Sequence, residues 1–188
     1  MYLYHYFENQ RGPFLTTSDL SHNAAVDVLS EIQKTNPNLV HPDMNWFLTR
    51  RRELESRVRE QFIQKGGKPI RQVPHHMTVE NCDYMKTWYL EPCSVKIHIS
   101  EFDINTISFT YGDMFPVFNP RLDNGEEYRN QVYTYDEIVK IIKKYGLPQF
   151  ADKKHEFASE CYVEACIWSD EIVIPYREKL INTINYTI

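Results

Sequence analysis

The chain has no G-x-G-x-x-G or G-x-x-x-x-G-K-S/T loop, no H-E-x-x-H helix and no G-x-S-x-G elbow. Kinase, P-loop, zincin and α/β-hydrolase chemistries therefore lose their sequence support. Cysteine is sparse: Cys82, Cys93, Cys161 and Cys166 form no C-x-x-C pair. Cys161 and Cys166 fall on opposite faces of one expected strand, so a metal site built on the cysteines is not expected, and reduced buried thiols are. No apolar run approaches the ~18 residues a membrane-spanning helix needs. Met1 to Gln10 has neither a basic n-region nor an apolar h-region, so a cytoplasmic chain without a signal peptide or membrane anchor is expected. Internal repeats and low-complexity tracts are missing too.

What is present is aromatic: 13 Tyr, 10 Phe and 3 Trp, which argue for ordered surfaces or a lined cleft. At 188 residues, residues 1–188 form one expected domain, long enough for a sizeable core without staples. The net charge of −5 argues against a general polyanion binder. Charge is uneven, however. Arg50 to Arg71 holds eight basic residues against three acidic ones on an otherwise acidic chain, which suits a local anion or phosphate site.

Tyr2 to Phe7 reads as an opening strand, with Leu3, His5 and Phe7 on one face and Tyr2, Tyr4 and Tyr6 on the other. A first helix follows a Ser21 cap and ends before Asn36-Pro37. The second, Met44 to Gln64, is the basic one; Met44, Phe47, Leu54, Val58 and Phe62 form its apolar stripe, and Arg51 falls on that stripe. Arg50, Arg52, Arg57 and Arg59 fall outside it. Strands are expected at Val73–Val79, interrupted by Pro74, at Val95–Ile99 and at Ile107–Tyr111. A short helix is expected within Asp83–Leu90, and a loop-rich stretch over Met114–Asn130. Thr134 and Glu137 spell a capping box for a third helix, which Gly146 and Pro148 end. A polar loop, Asp152 to Ser159, precedes a strand over Glu160–Trp168 and a second short one at Ile172–Ile174. Segregated helices and strands predict an α+β domain: three main helices on a mixed or mainly antiparallel sheet.

Glu164 stands out because its strand is apolar on both faces. A lone ionised carboxylate there costs several kcal/mol unless a partner or a ligand uses it. Glu164 therefore reads either as a carboxylate kept for a ligand or as half of a structural pair with an Arg or Lys on an edge strand; the paired form needs no guest. His5 reads either as a ligand contact or as a hydrogen-bonded sheet residue, and Arg51 either as an anion fork or as a partner of Glu55 four residues on. His75 and His76, as strand neighbours, point apart and cannot jointly grip a metal.

A histidine in a Leu3-Tyr4-His5-Tyr6 strand, then helices, then strands, then a late Val163-Glu164-Ala165-Cys166-Ile167-Trp168 strand resembles the ADP-ribosyltransferase superfamily. The nearest likeness is to the branch that includes DNA-modifying toxins and RNA 2'-phosphotransferases. It covers two short stretches, about a tenth of the chain. The candidates for the family's middle motif are His75-His76-Met77-Thr78 and Ser108-Phe109-Thr110-Tyr111. The Ser108-to-Asp113 stretch is also similar to one in a set of small uncharacterised bacterial proteins, which adds no chemistry.

The resemblance implies NAD as cofactor and a nucleic acid or protein as acceptor, with no metal. It makes Glu164 the catalytic carboxylate, with Ile172-Val173-Ile174-Pro175 downstream of it, and His5 a contact of the dinucleotide. Cleaving the nicotinamide–ribose bond builds positive charge on the sugar, which a fixed carboxylate stabilises. Rings of Tyr4, Tyr6 or Tyr111 would stack on the cofactor, and Arg51 would fork its pyrophosphate. The alternative expectation is a non-catalytic recognition protein that meets a partner protein or phosphorylated ligand through its tyrosines and basic helix. A metal-dependent nuclease or phosphatase using Asp113 and His75 has little support, because no carboxylate cluster has ligand spacing.

Overall fold

The computed structural model describes residues 1–151 and 161–185. Among these residues five strands form one sheet in the order β3-β1-β2-β5-β4: β1 Tyr2–Glu8, β2 His75–Val79, β3 Pro92–His98, β4 Ile107–Thr110 and β5 Glu164–Ile167. Every neighbouring pair is antiparallel. Among the described residues six α-helices accompany it: α1 His22–Thr35, α2 Met44–Gln64, α3 Asp83–Lys86, α4 Met114–Val117, α5 Tyr135–Tyr145 and α6 Val173–Asn185. The α+β expectation, with an antiparallel sheet, is met; α6 adds a fourth long helix.

Alternation along the strands sorts the sheet into two faces. One carries Leu3, Phe7, Met77, Val79, Phe109, Ala165 and Ile167, packed with Ile138 of α5 and Val173 of α6. The other carries Tyr4, Tyr6, His76, Thr78, Glu164 and Cys166. Against this second face lies α2, whose Leu54, Val58 and Phe62 pack with Cys166 and Trp168. Helix α1 sits on α2 through Ala25, Leu29 and Leu48. Local signals explain the long helices. Ser21 Oγ accepts from Ala24 N at the start of α1, and Asp43 Oδ1 from Trp46 N at the start of α2. The Thr134–Glu137 capping box opens α5, and Gly146, with φ of 80°, closes it.

Two expectations need correction or trimming. Ile172–Ile174 is not a strand: Ile174 N donates to Asp170 O at 3.0 Å as α6 begins. Pro175, lying in that first turn where no N–H partner is needed, suits a helix start better than a sheet. The strand expected over Glu160–Trp168 is ladder-paired only from Glu164 to Ile167. Trp168 N–H makes the last β4–β5 bond, to Thr106 O, and the ladder ends there as the Trp168 carbonyl accepts from Ile70 N and Arg71 N instead. Glu160 and the polar loop of residues 152–159 lie outside the described residues. Among the described residues, no helix is long and apolar enough to cross a membrane.

One irregularity positions the site. β1 pairs with β3 along its whole length but with β2 only at Leu3↔Val79 and Tyr4↔Thr78. Beyond Tyr4 the two central strands part, and backbone groups of β2 need other partners. His5 supplies one: its Nδ1 donates to His76 O at 3.0 Å, while its Nε2 accepts from Phe14 N at 2.8 Å.

Candidate functional site

A cavity of about 270 Å³ opens where the sheet parts. Tyr4, Tyr6, His76 and Thr78 line it from the strands, Phe47 and Arg51 from α2, and Trp88 and Tyr89 from the segment after α3. Asp113, Met114 and Phe115 close it beside Tyr162 and Glu164. An aromatic lining with a few converging polar groups is the usual make-up of a small-molecule site.

The polar groups form a string of alternating charge. Arg51 Nε donates to Glu55 Oε1 at 2.9 Å, and Ser18 Oγ donates to the same oxygen at 2.9 Å. His76 lies between two carboxylates, with Nε2 3.1 Å from Glu55 Oε1 and Nδ1 2.8 Å from Glu164 Oε1. Burial and Arg51 oppose charge on that ring, but Glu164 and its hydrogen bond outweigh them and raise His76 well above the usual histidine range. The ring is thus an imidazolium that donates on both sides. Burial alone would also lift Glu55, yet the His76 hydrogen bond and Arg51 hold it down to about 2. The second Glu164 oxygen accepts from Met114 N at 3.0 Å.

Glu164 is therefore a paired carboxylate, on a strand inside the sheet and not at its edge. Its partner is His76, not the Arg or Lys expected of a structural pair. The desolvation cost that singled it out in the sequence is met within the chain, so its burial alone does not require a guest. Its place in the cavity wall is a separate fact.

Beside it stands a second carboxylate of different character. Asp113 Oδ1 accepts from Phe115 N at 2.7 Å, and Oδ2 from Tyr162 Oη at 2.8 Å. Burial and the Glu164 charge push Asp113 up to about 6.

The other residues singled out in the sequence are distributed as follows. His5 borders the cavity, but register places it on the face opposite Glu164, and both its ring nitrogens are committed to the backbone. Burial lowers it to about 4, so it is neutral. It is a hydrogen-bonded sheet residue. Tyr4 and Tyr6 share the cavity, their rings stacked at 6.3 Å. Tyr111 does not join them: it is 5% exposed, donates to Gly146 O at 3.1 Å and packs on Tyr128 and Tyr145. Arg51 does pair with Glu55, through Nε, and also lines the cavity. His75 points away from His76, as strand neighbours must, with Nε2 2.8 Å from Asp170 Oδ1.

Glu55 and Tyr162 complete the site with no site role expected of them in the sequence; Asp113 is expected there only in the metal-dependent alternative, and His76 only within a candidate middle motif. The only trace of Glu55 is its i+4 spacing from Arg51. That His76 meets Glu164 depends on the β2–β5 register, which no local pattern reveals. Ligand atoms of His76, Glu164 and Cys166 lie within 4.8 Å of one another. Both His76 nitrogens already face carboxylates, and burial pushes the Cys166 thiol up to about 11, so His76 and Cys166 hold their protons as they stand.

The basic face of α2 is largely tied to the chain itself. Arg52 donates to Leu20 O, Arg59 to Arg71 O and Pro69 O, and Arg50 to Glu53 and Phe118 O. The Arg57 guanidinium lies 4.5 Å from the Phe118 ring centre. No family model, curated protein or solved structure matches this chain, so the reading of the site rests on its geometry.

Proposed function

We propose that the cavity is the active site of an ADP-ribosyltransferase-like enzyme, which breaks the nicotinamide–ribose bond of NAD and passes the ADP-ribosyl group to a nucleic acid or protein. The observation that carries this reading is the fixed Glu164 carboxylate in the wall of an aromatic-lined cavity, held on one oxygen by His76 and on the other by Met114 N. A carboxylate oriented before the reaction stabilises the positive charge that develops on the ribose. Arg51 uses Nε on Glu55, and its two Nη groups make no hydrogen bond among the described residues. That leaves a fork for a phosphate oxygen pair. Tyr4 and Tyr6 offer ring faces for the nicotinamide. His5 acts here as a positioning residue that holds the parted strands, not as a contact of the cofactor. A volume of about 270 Å³ suits the nicotinamide–ribose half, with the adenylate half lying outside.

The alternative, a recognition protein working through the basic helix, has less support, because those guanidiniums are engaged with the chain's own carbonyls, with Glu53 and with the Phe118 ring. Calorimetric titration with NAD separates the two. Wild type and Glu164→Gln should bind NAD alike, since Gln keeps the shape, and Arg51→Lys should bind about tenfold or more weakly for want of the fork. No heat of binding with wild-type protein would sink the proposal.

A further inference from the structure

We infer that Asp113 is a catalytic base of this site, taking a proton from a neutral O–H or N–H acceptor as that acceptor attacks the ribose. The inference rests on the reading of the cavity as an NAD-cleaving site and adds to it the chemical class of the acceptor.

The geometry separates two carboxylates that one short turn brings together. Met114 N holds Glu164 Oε2 at 3.0 Å, and the preceding residue is Asp113 itself. Glu164 is hydrogen-bonded to a cation, His76. Asp113 is not: its two donors are a peptide N–H and the Tyr162 phenol, both neutral. The charged and titratable groups around Asp113 are Glu164 from β5, Tyr162 just before β5, His76 from β2 and Arg51 from α2. With a peptide N–H and a phenol as its only donors, buried Asp113 has no cation in hydrogen-bond contact to hold its proton affinity down. Its rise to about 6 fits this: Asp113 is mostly ionised near neutrality yet more basic than an ordinary carboxylate.

The step balances without a further reagent. The acceptor's O–H or N–H bond breaks and its proton passes to an Asp113 oxygen. The acceptor's electron pair forms a bond to the anomeric carbon of the ribose. The carbon–nitrogen bond to nicotinamide breaks, and its electron pair returns to the ring, which leaves as the neutral amide. Glu164 keeps its charge throughout. An acceptor that must lose a proton is a hydroxyl, a neutral amine or an amide, or water. A preformed anion needs no base, and two adjacent carboxylates disfavour its approach.

The test measures nicotinamide release into water from NAD. With wild-type protein the rate should climb from about pH 5 to about pH 7 as Asp113 ionises, then level. Asp113→Asn should lose about 100-fold or more in rate, lose that climb, and still bind NAD within about twofold. Azide, which needs no deprotonation, should restore release by Asp113→Asn at least about tenfold and do nothing for Glu164→Gln. An unchanged rate or pH profile in Asp113→Asn overturns the inference, as does a loss that azide fails to restore. Wild-type protein that releases no nicotinamide overturns the underlying reading and this inference with it.

Discussion

Truncating Glu55 would strand the Arg51 guanidinium and leave His76 paired with Glu164 alone, because Arg51, His76 and Ser18 all direct hydrogen bonds at its Oε1. Glu55→Ala is expected to cost about 3–5 kcal/mol in urea unfolding, the usual penalty for breaking a buried ion pair on one side. The sign of its pH dependence follows from the folded carboxyl being held down to about 2. Its contribution is present above the ordinary Glu range and is lost as pH falls from about 4.5 towards 2. His76 works in the other direction. Raised in the fold, it contributes fully below about 6.5 and loses that contribution as pH rises through its folded value. His5, lowered to about 4, favours the fold above about 6.5, and this is lost as pH falls from there to about 4. His5→Phe removes the link from β1 to His76 O and leaves the Phe14 N–H unpaired. A loss of about 2 kcal/mol is expected, together with loss of that acid limb, in urea titrations run across pH. A result in which His5→Phe is fully stable and only activity falls would return His5 to the ligand side of the site.

At the scale of elements, the sequence announces itself where a local signal suffices. The Ser21 cap, the 21-residue amphipathic run of α2 and the Thr134–Glu137 box all mark real helix boundaries. Glu137→Ala should cost about 1 kcal/mol in thermal or urea unfolding, since Glu137 Oε2 accepts from Thr134 N at 2.9 Å. Where composition and context disagree, local reading fails. Ile172-Val173-Ile174 has the β-branched make-up of a strand, but Pro175 sits in the opening turn of α6. The site is less legible than the fold for a related reason. Arg51 and Glu164 stand out because each is a charge on an apolar surface. Glu55 and His76 look ordinary in sequence and become their partners only through helix docking and strand register. Tyr111 shows the converse: a strand-end tyrosine reads as a ligand contact, and packing on Tyr128 and Tyr145 makes it core.

Across the whole molecule, the parted β1 and β2 strands and the helix laid over the sheet act together. The cavity is lined by residues of β1 and β2 beside the point where their ladder ends, and α2 contributes Arg51 to its wall. Basic residues cluster in the sequence because α2 carries them, yet the fold uses most of them to tether neighbouring segments and turns one, Arg51, towards the cavity. The most direct measurement is chromatographic detection of free nicotinamide after incubation with NAD. It should be run on wild-type protein, on Glu164→Gln, and on the double variant Arg50→Glu/Arg57→Glu, which alters the outer face of α2. Release by the wild type and by the double variant, with a fall of about 100-fold or more in Glu164→Gln, is the predicted result. Release that survives in Glu164→Gln, or none from the wild type, would contradict the assignment of this cavity as the place where the glycosidic bond is broken.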